Sequence, residues 1–215
     1  MSAQRPTPGA GCAERKMSTL KELRTPIFWA EGHPGPLQSA GWQVRVGGLV
    51  EKPLALTYEE IRALPKTVAD ARLTSVSGFS VRGEWGGVQM GEIVALAGPQ
   101  PTASHVQFVS YREIYTTCIP LEVALQERTL LAYDFNDQPL EADYGGPVRV
   151  FCPYLWGYKS AKSVIAVNLV DRSIPGYWEV RGYPDAAQIK PRRIFDVNSR
   201  RWRRIPGGEV VEFLD

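Results

Sequence analysis

Apolar and polar residues alternate from Trp42 to Val46, with Gln43 and Arg45 between them, and this period of two predicts a half-buried strand closed by Gly47-Gly48. The pattern then changes. Thr57-Tyr58-Glu59-Glu60 has capping-box spacing, in which the threonine hydroxyl accepts from one free amide and Glu60 reaches back to another. Ile61 and Leu64 share the inner face of the short helix that follows, and Pro65 ends it. Further short helices are predicted over 91–96 and over 120–126, the latter opening on a proline whose fixed φ suits a first turn. Strands are predicted over 105–110, 130–135, 148–152 and 163–170. Helices this brief cannot supply the long crossovers of a doubly wound parallel sheet, so the expected fold class is α+β, with β-rich mixed sheets and short helices.

Residues 1 to about 20 show no apolar periodicity and are expected to form a disordered tail, followed over 24–40 by a Pro/Gly-rich arm. Regular structure is expected to begin at Trp42. With 215 residues and 44% hydrophobic content the chain can bury one substantial core. The expected division is therefore a tail (1–20), one domain (21–191) and a basic C-terminal extension (192–215) packed on that domain.

Composition narrows the chemistry. A net charge of +2 gives no bulk attraction for a polyanion. Cys12, Cys118 and Cys152 are odd in number and lack metal-ligand spacing, which fits a reducing compartment; the expected location is the cytoplasm. With only His33 and His105, a zinc or His-carboxylate centre has too few ligands. No apolar run approaches the ~20 residues that span a bilayer, and residues 1–16 lack both a signal-peptide core and a twin-arginine segment.

Two stretches could carry a site. Gly145-Gly146-Pro147-Val148-Arg149 and Gly157-Tyr158-Lys159-Ser160-Ala161-Lys162 combine glycines that admit an anion to the backbone, a hydroxyl donor and three cations, groups that suit a phosphate. The same residues also describe a plain inter-strand loop with solvated lysines. A separate C-terminal stretch, 192–204, holds six arginines, Arg192, Arg193, Arg200, Arg201, Arg203 and Arg204, around Trp202. Phosphate contacts with stacking would allow nucleic acid there, but Glu209, Glu212 and Asp215 follow closely, and a strand pair or subunit contact is the reading adopted.

Residues 74–80, Thr-Ser-Val-Ser-Gly-Phe-Ser, with Gly83-Glu84-Trp85-Gly86-Gly87-Val88 after them, resemble the metal-binding segment of the sulfite oxidase family of molybdopterin oxidoreductases, Cys-Val-x-x-Trp-Ser then Trp-x-Gly-Val. Gly-Gly-Pro-x-Arg and Gly-Tyr-Lys-Ser-x-Lys, here 145–149 and 157–162, look like that family's pterin-phosphate segments. Gly176-Tyr177-Trp178-Glu179 and 115–122 add two further matches in the same order. The resemblance implies the sulfite oxidase catalytic-domain fold and a molybdopterin cofactor carrying molybdenum. It also implies oxo transfer or a related two-electron reaction on a small anion or sulfoxide-like substrate, with electrons exchanged with a separate protein partner.

Carried over residue by residue, the resemblance makes Ser75 the metal ligand in place of cysteine. It assigns Ser110, Tyr144, Arg149, Lys159, Ser160, Ala161 and Lys162 to the cofactor, and Tyr115 and His33 to the substrate channel. Four positions depart from the pattern: Ser75 replaces the thiol, Phe79 the tryptophan and Tyr144 a His or Asn, and no arginine precedes His33. A serine hydroxyl is a harder, far less acidic donor than a thiol, though a metal can drive its ionisation. The alternative is a non-catalytic descendant of the same fold that serves as a pterin-binding, anion-binding or scaffold module, with Ser75 an ordinary strand residue.

Overall fold

A computed structural model describes residues 18–215. The elements are β1 (Gln43–Gly48), β2 (Leu54–Thr57), α1 (Tyr58–Ala63), β3 (Thr67–Thr74), β4 (Phe79–Gln89), α2 (Met90–Ala97), β5 (His105–Ser110) and β6 (Thr116–Pro120). There follow α3 (Leu121–Ala124), β7 (Leu130–Phe135), β8 (Gln138–Pro139), β9 (Arg149–Phe151), β10 (Val164–Val170), β11 (Arg192–Asp196) and β12 (Arg201–Ile205). The capping box forms as its spacing requires: Thr57 Oγ1 accepts from the Glu60 amide at 3.1 Å, and Glu60 Oε2 accepts from the Thr57 amide at 2.8 Å. Helix α2 stops at Gly98, whose φ of 67° is the left-handed conformation that closes a helix and that glycine takes most cheaply.

Two mixed sheets result. One has strand order β2-β1-β10-β5-β6, and the other β12-β11-β4-β7-β8, with β3 added on β4 and β9 on β7. Two pairings are parallel, β1 with β10 and β11 with β4. Strand β7 is buried along its whole length, because Leu131 and Tyr133 enter one apolar cluster while Leu130 and Ala132 enter another. The first cluster joins the two sheets through Val44, Val46, Val88 and Val167. The second covers the outer face of β3, β4 and β7 and is centred on Trp85, which stacks on Phe151 at 4.4 Å.

The longest strand, β4, has no alternating pattern, because Gly83, Gly86 and Gly87 interrupt it. Each is a place of close approach: a Cβ on Gly83 would meet the Phe135 ring at 2.2 Å, and one on Gly87 the Leu131 carbonyl at 2.4 Å. Pro120 closes β6 opposite His105 instead of opening a helix, so α3 starts one residue later and is shorter than its pattern suggests. The expected tail lies outside the described residues as far as 17. Ordered packing starts well before Trp42, since Leu20 and Thr25 are both buried, and Leu20 joins the second cluster.

Candidate functional site

The site is built where three turns meet. Between β3 and β4, residues 75–78 reverse the chain: the Ser75 amide donates to the Phe79 carbonyl at 2.8 Å, and the Gly78 amide donates to the Ser75 carbonyl at 3.0 Å. Gly78 has φ of 103°. Strand β11 clamps this turn from outside. Its Phe195 amide donates to the Gly78 carbonyl at 2.9 Å, and Arg192 donates to the Val76 carbonyl at 3.1 Å. Ser75 is therefore a turn residue, not a strand residue. Its hydroxyl accepts from the Ser77 amide at 3.2 Å and donates to the Ser77 hydroxyl at 3.0 Å, the local bonding that serine favours in turns.

The second turn, 145–148, and the third, 157–163, are fastened together. The Ser163 hydroxyl donates to the Gly146 carbonyl at 2.7 Å, and the Ser163 amide donates to the Gly145 carbonyl at 3.0 Å. At Gly145, φ is 100° and a Cβ would sit 2.8 Å from Lys162 Cγ, so only glycine lets the two turns close. A cavity of about 270 Å³ opens between these turns and the N-terminal arm, lined by Ser75, Tyr115, Tyr144, Arg149, Ser160 and Lys162 among others.

Arg149 is fully buried and donates to the carbonyls of Tyr144 at 2.6 Å and Ser160 at 3.1 Å. Burial pulls its guanidinium down to about 10. Lys162 donates to the carbonyls of Phe28 at 2.8 Å and Asp143 at 3.2 Å and lies over the Trp29 ring. Burial, and then the charge of Arg149, lower it to about 7. Among the described residues neither cation has an ion pair. Two positive charges, one buried and one half-buried, satisfied only by carbonyl dipoles lack an anion. Thr25 adds a second sign, because its Oγ1 is buried at the cavity wall with no hydrogen-bond partner.

Two tyrosines complete the wall. Tyr115 donates to the Tyr158 carbonyl at 2.5 Å and stacks on Tyr177, and burial first, then the nearby Glu179 and Glu31, raise its hydroxyl well above the ordinary range. Tyr144 donates to the Thr25 carbonyl at 3.1 Å and is pushed up to about 12 by burial and by Glu141 and Asp143. Both phenols stay protonated.

Four expected residues do not line this cavity. Lys159 is fully buried elsewhere, paired with Glu179 at 2.6 Å and Asp185 at 3.1 Å and donating to the Cys118 carbonyl. In the 3₁₀ turn of Gly157–Lys159, successive side chains splay: Tyr158 faces the cavity and Lys159 the acid pair. Ala161 is buried and contributes a carbonyl to the Val150 amide. His33 sits at the surface, 2.7 Å from Asp143 Oδ1. Ser110 lies one layer back and donates to Glu31 Oε1 at 2.5 Å.

Glu31 and Thr25 are among the wall residues that pattern reading did not select. The signal for Glu31 was a lone carboxylate in an otherwise apolar arm, Phe28-Trp29-Ala30-Glu31. For Thr25 there was none. Among the described residues no group of three His, Cys, Asp or Glu is arranged to hold a metal ion, so a metal here would rest on Ser75 and on ligands the protein does not supply.

A β-rich α+β fold of two mixed sheets, with glycine-bearing turns around a cationic cavity, defines a molybdopterin-binding domain of the sulfite oxidase-like type. The chain belongs to the oxidoreductase molybdopterin-binding domain family, whose model matches residues 31–178. Among curated relatives, the uncharacterized oxidoreductase YuiH of Bacillus subtilis (strain 168) is 35% identical over 143 residues, covering 66% of this chain and 72% of that protein. The protein-methionine-sulfoxide reductase catalytic subunit MsrP of Ralstonia nicotianae is 29% identical over 198 residues, covering 84% of this chain; the chain spans only 59% of that relative's length. The sulfane dehydrogenase SoxCD of Paracoccus pantotrophus shares the fold, with a TM-score of 0.63 at 20% identity over 80% of this chain and 46% of that one.

Proposed function

We propose that this domain holds a molybdenum-pterin cofactor in the cavity and carries out two-electron oxo transfer on a small substrate. The observation that carries the reading is the pair Arg149 and Lys162, two cations of the cavity wall without a carboxylate partner. They would hold the pterin phosphate, with Thr25 Oγ1 as an extra hydroxyl donor. Ser160 and Tyr144 act through their carbonyls, which aim the Arg149 guanidinium. Ser75 stands on the wall where the metal end would lie. When bound, the cofactor supplies the redox chemistry and the protein supplies orientation and electrostatics.

The chain's own contribution is a walled site. Trp29, Trp178 and Tyr183 line the cavity with aromatic surface, and the Tyr115 hydroxyl, its proton held by the Tyr158 carbonyl, stays neutral and leaves only its oxygen lone pair for a substrate. A relative named as a reductase catalytic subunit supports oxo removal as the direction of reaction, and electrons would then come from a separate protein.

The test is purification from a host that makes the cofactor, with molybdenum measured by elemental analysis and released pterin by fluorescence. Near-stoichiometric amounts of both are expected, and absence of both would end the proposal. One observation favours a second reading: the Ser75 hydroxyl is already satisfied by Ser77. Stoichiometric pterin without metal would establish that reading, a pterin-binding module without redox activity.

A further inference from the structure

We propose that Glu31 sets the substrate class of the cavity, admitting neutral oxygen-bearing molecules such as sulfoxides and turning away small oxyanions. The proposal rests on the cavity being the substrate site, and it goes further by choosing between the anion and the sulfoxide that the sequence left open.

Glu31 is the one carboxylate among the described residues that line the cavity. It is held at both oxygens. Ser110 Oγ donates to Oε1 at 2.5 Å, and the Tyr115 amide donates to Oε2 at 2.9 Å. A carboxylate fixed by two donors cannot swing away when a second anion approaches, and each donor favours its charged form. The supports are themselves fixed, since Ser110 is buried at the end of β5 and Tyr115 is anchored to the Tyr158 carbonyl.

The surrounding charges do not cancel it. Burial raises the Glu31 carboxyl, while Ser110, the Tyr115 amide, Arg112 and Lys162 pull it back. Arg112 is exposed, donates to the Glu31 carbonyl and lies over the half-buried Tyr111 ring, outside the cavity. Lys162 and Arg149 face the same space, but an anionic cofactor would occupy both. The remaining charge that meets a substrate is then the carboxylate. A sulfite-like or sulfate-like anion placed in the same low-dielectric space is repelled, whereas a neutral sulfoxide is not.

The experiment titrates sulfate and methionine sulfoxide into the full chain as purified, following quenching of the tryptophans Trp29 and Trp178 that line the cavity. Wild type is compared with Glu31→Gln, which keeps both hydrogen bonds by turning its amide oxygen to the Tyr115 amide and its nitrogen to Ser110 Oγ. Sulfate affinity is expected to rise at least tenfold in Glu31→Gln and further in Glu31→Arg, while sulfoxide affinity changes less than threefold. Ser110→Ala, which loosens the carboxylate but keeps its charge, is expected to leave sulfate binding weak. Equal sulfate affinity in wild type and Glu31→Gln would overturn the proposal, as would a gain in Ser110→Ala equal to that in Glu31→Gln. Variants are compared at matched pterin content, measured on the same samples, because free Arg149 and Lys162 would bind sulfate in every variant alike; the pterin content itself reports on the cofactor reading alone.

Discussion

The Arg149 guanidinium donates to the Ser160 carbonyl at 3.1 Å, and this contact ties strand β9 to the turn that ends in Lys162. The two segments that together look like a phosphate cradle are thus one unit, with Arg149 serving both as its charge and as its clamp. Replacing Arg149 by methionine removes the charge and also leaves two buried carbonyls, those of Tyr144 and Ser160, without a donor. The expected cost is about 2–4 kcal/mol in urea unfolding, together with loss of pterin.

Lys159 and Lys162 lie three residues apart and should respond in opposite ways. Lys159→Met strands the buried Glu179 carboxylate and is expected to cost about 3–5 kcal/mol, with pterin content per folded molecule unchanged. Lys162→Met removes a cation that has no acid partner, so stability near pH 7 should hold or rise while pterin retention falls at least tenfold. Denaturation curves and pterin release on the same preparations check both.

The pH dependence of stability should expose Lys162 directly. Its ammonium is lowered to about 7 in the folded, cofactor-free protein, well below the value of a free lysine. Between those two values the unfolded chain holds a proton that the folded one has released, so stability attributable to Lys162 rises with pH across the window, and the cost of burying its charge is fully present below 7. Any stability advantage of Lys162→Met over wild type should shrink by about 1 kcal/mol per pH unit between 7 and 9. A pH-independent difference would show that the amine is not desolvated.

Ser75→Cys tests the metal end of the cavity. A thiolate is a softer and more readily ionised ligand than a hydroxyl, and the turn that carries residue 75 is fixed by backbone bonds that do not involve its side chain. Molybdenum content is expected to rise in the variant, with pterin content unchanged. A fall in pterin would mean that the Ser75–Ser77 hydroxyl pair shapes the pocket itself.

Gly176→Ala is expected to destabilise by about 3 kcal/mol or more. A Cβ there would lie 2.0 Å from the Thr116 carbonyl, which is backbone and already accepts from the Tyr177 amide at 2.8 Å. Loss of the Tyr115–Tyr177 stack, read from near-ultraviolet circular dichroism, should accompany it.

How much of this was legible depended on which forces act locally. The Thr57–Glu60 cap and β5 and β7 were readable, because short-range bonding and burial patterns fix them. Strand β4 was not: its interior glycines answer to the Phe135 ring and the Leu131 carbonyl, partners more than forty residues away in sequence. In the site, Arg149, Ser160 and Lys162 were found through charge and glycine spacing, but those cues cannot tell Lys159 from Lys162. Which lysine faces the cavity is decided by the splay of a 3₁₀ turn and by Glu179, whose position depends on a separate segment. Thr25 was invisible because its significance is an absent partner, a property of packing and not of sequence.

The clamp of β11 on the Ser75 turn has a consequence for biosynthesis. Val76 and Arg192 are 116 positions apart, so a nascent chain leaves the ribosome with that wall of the pocket unbraced for more than half of its translation. Any prosthetic group that needs the finished wall must therefore be delivered late, to a polypeptide already released or nearly so.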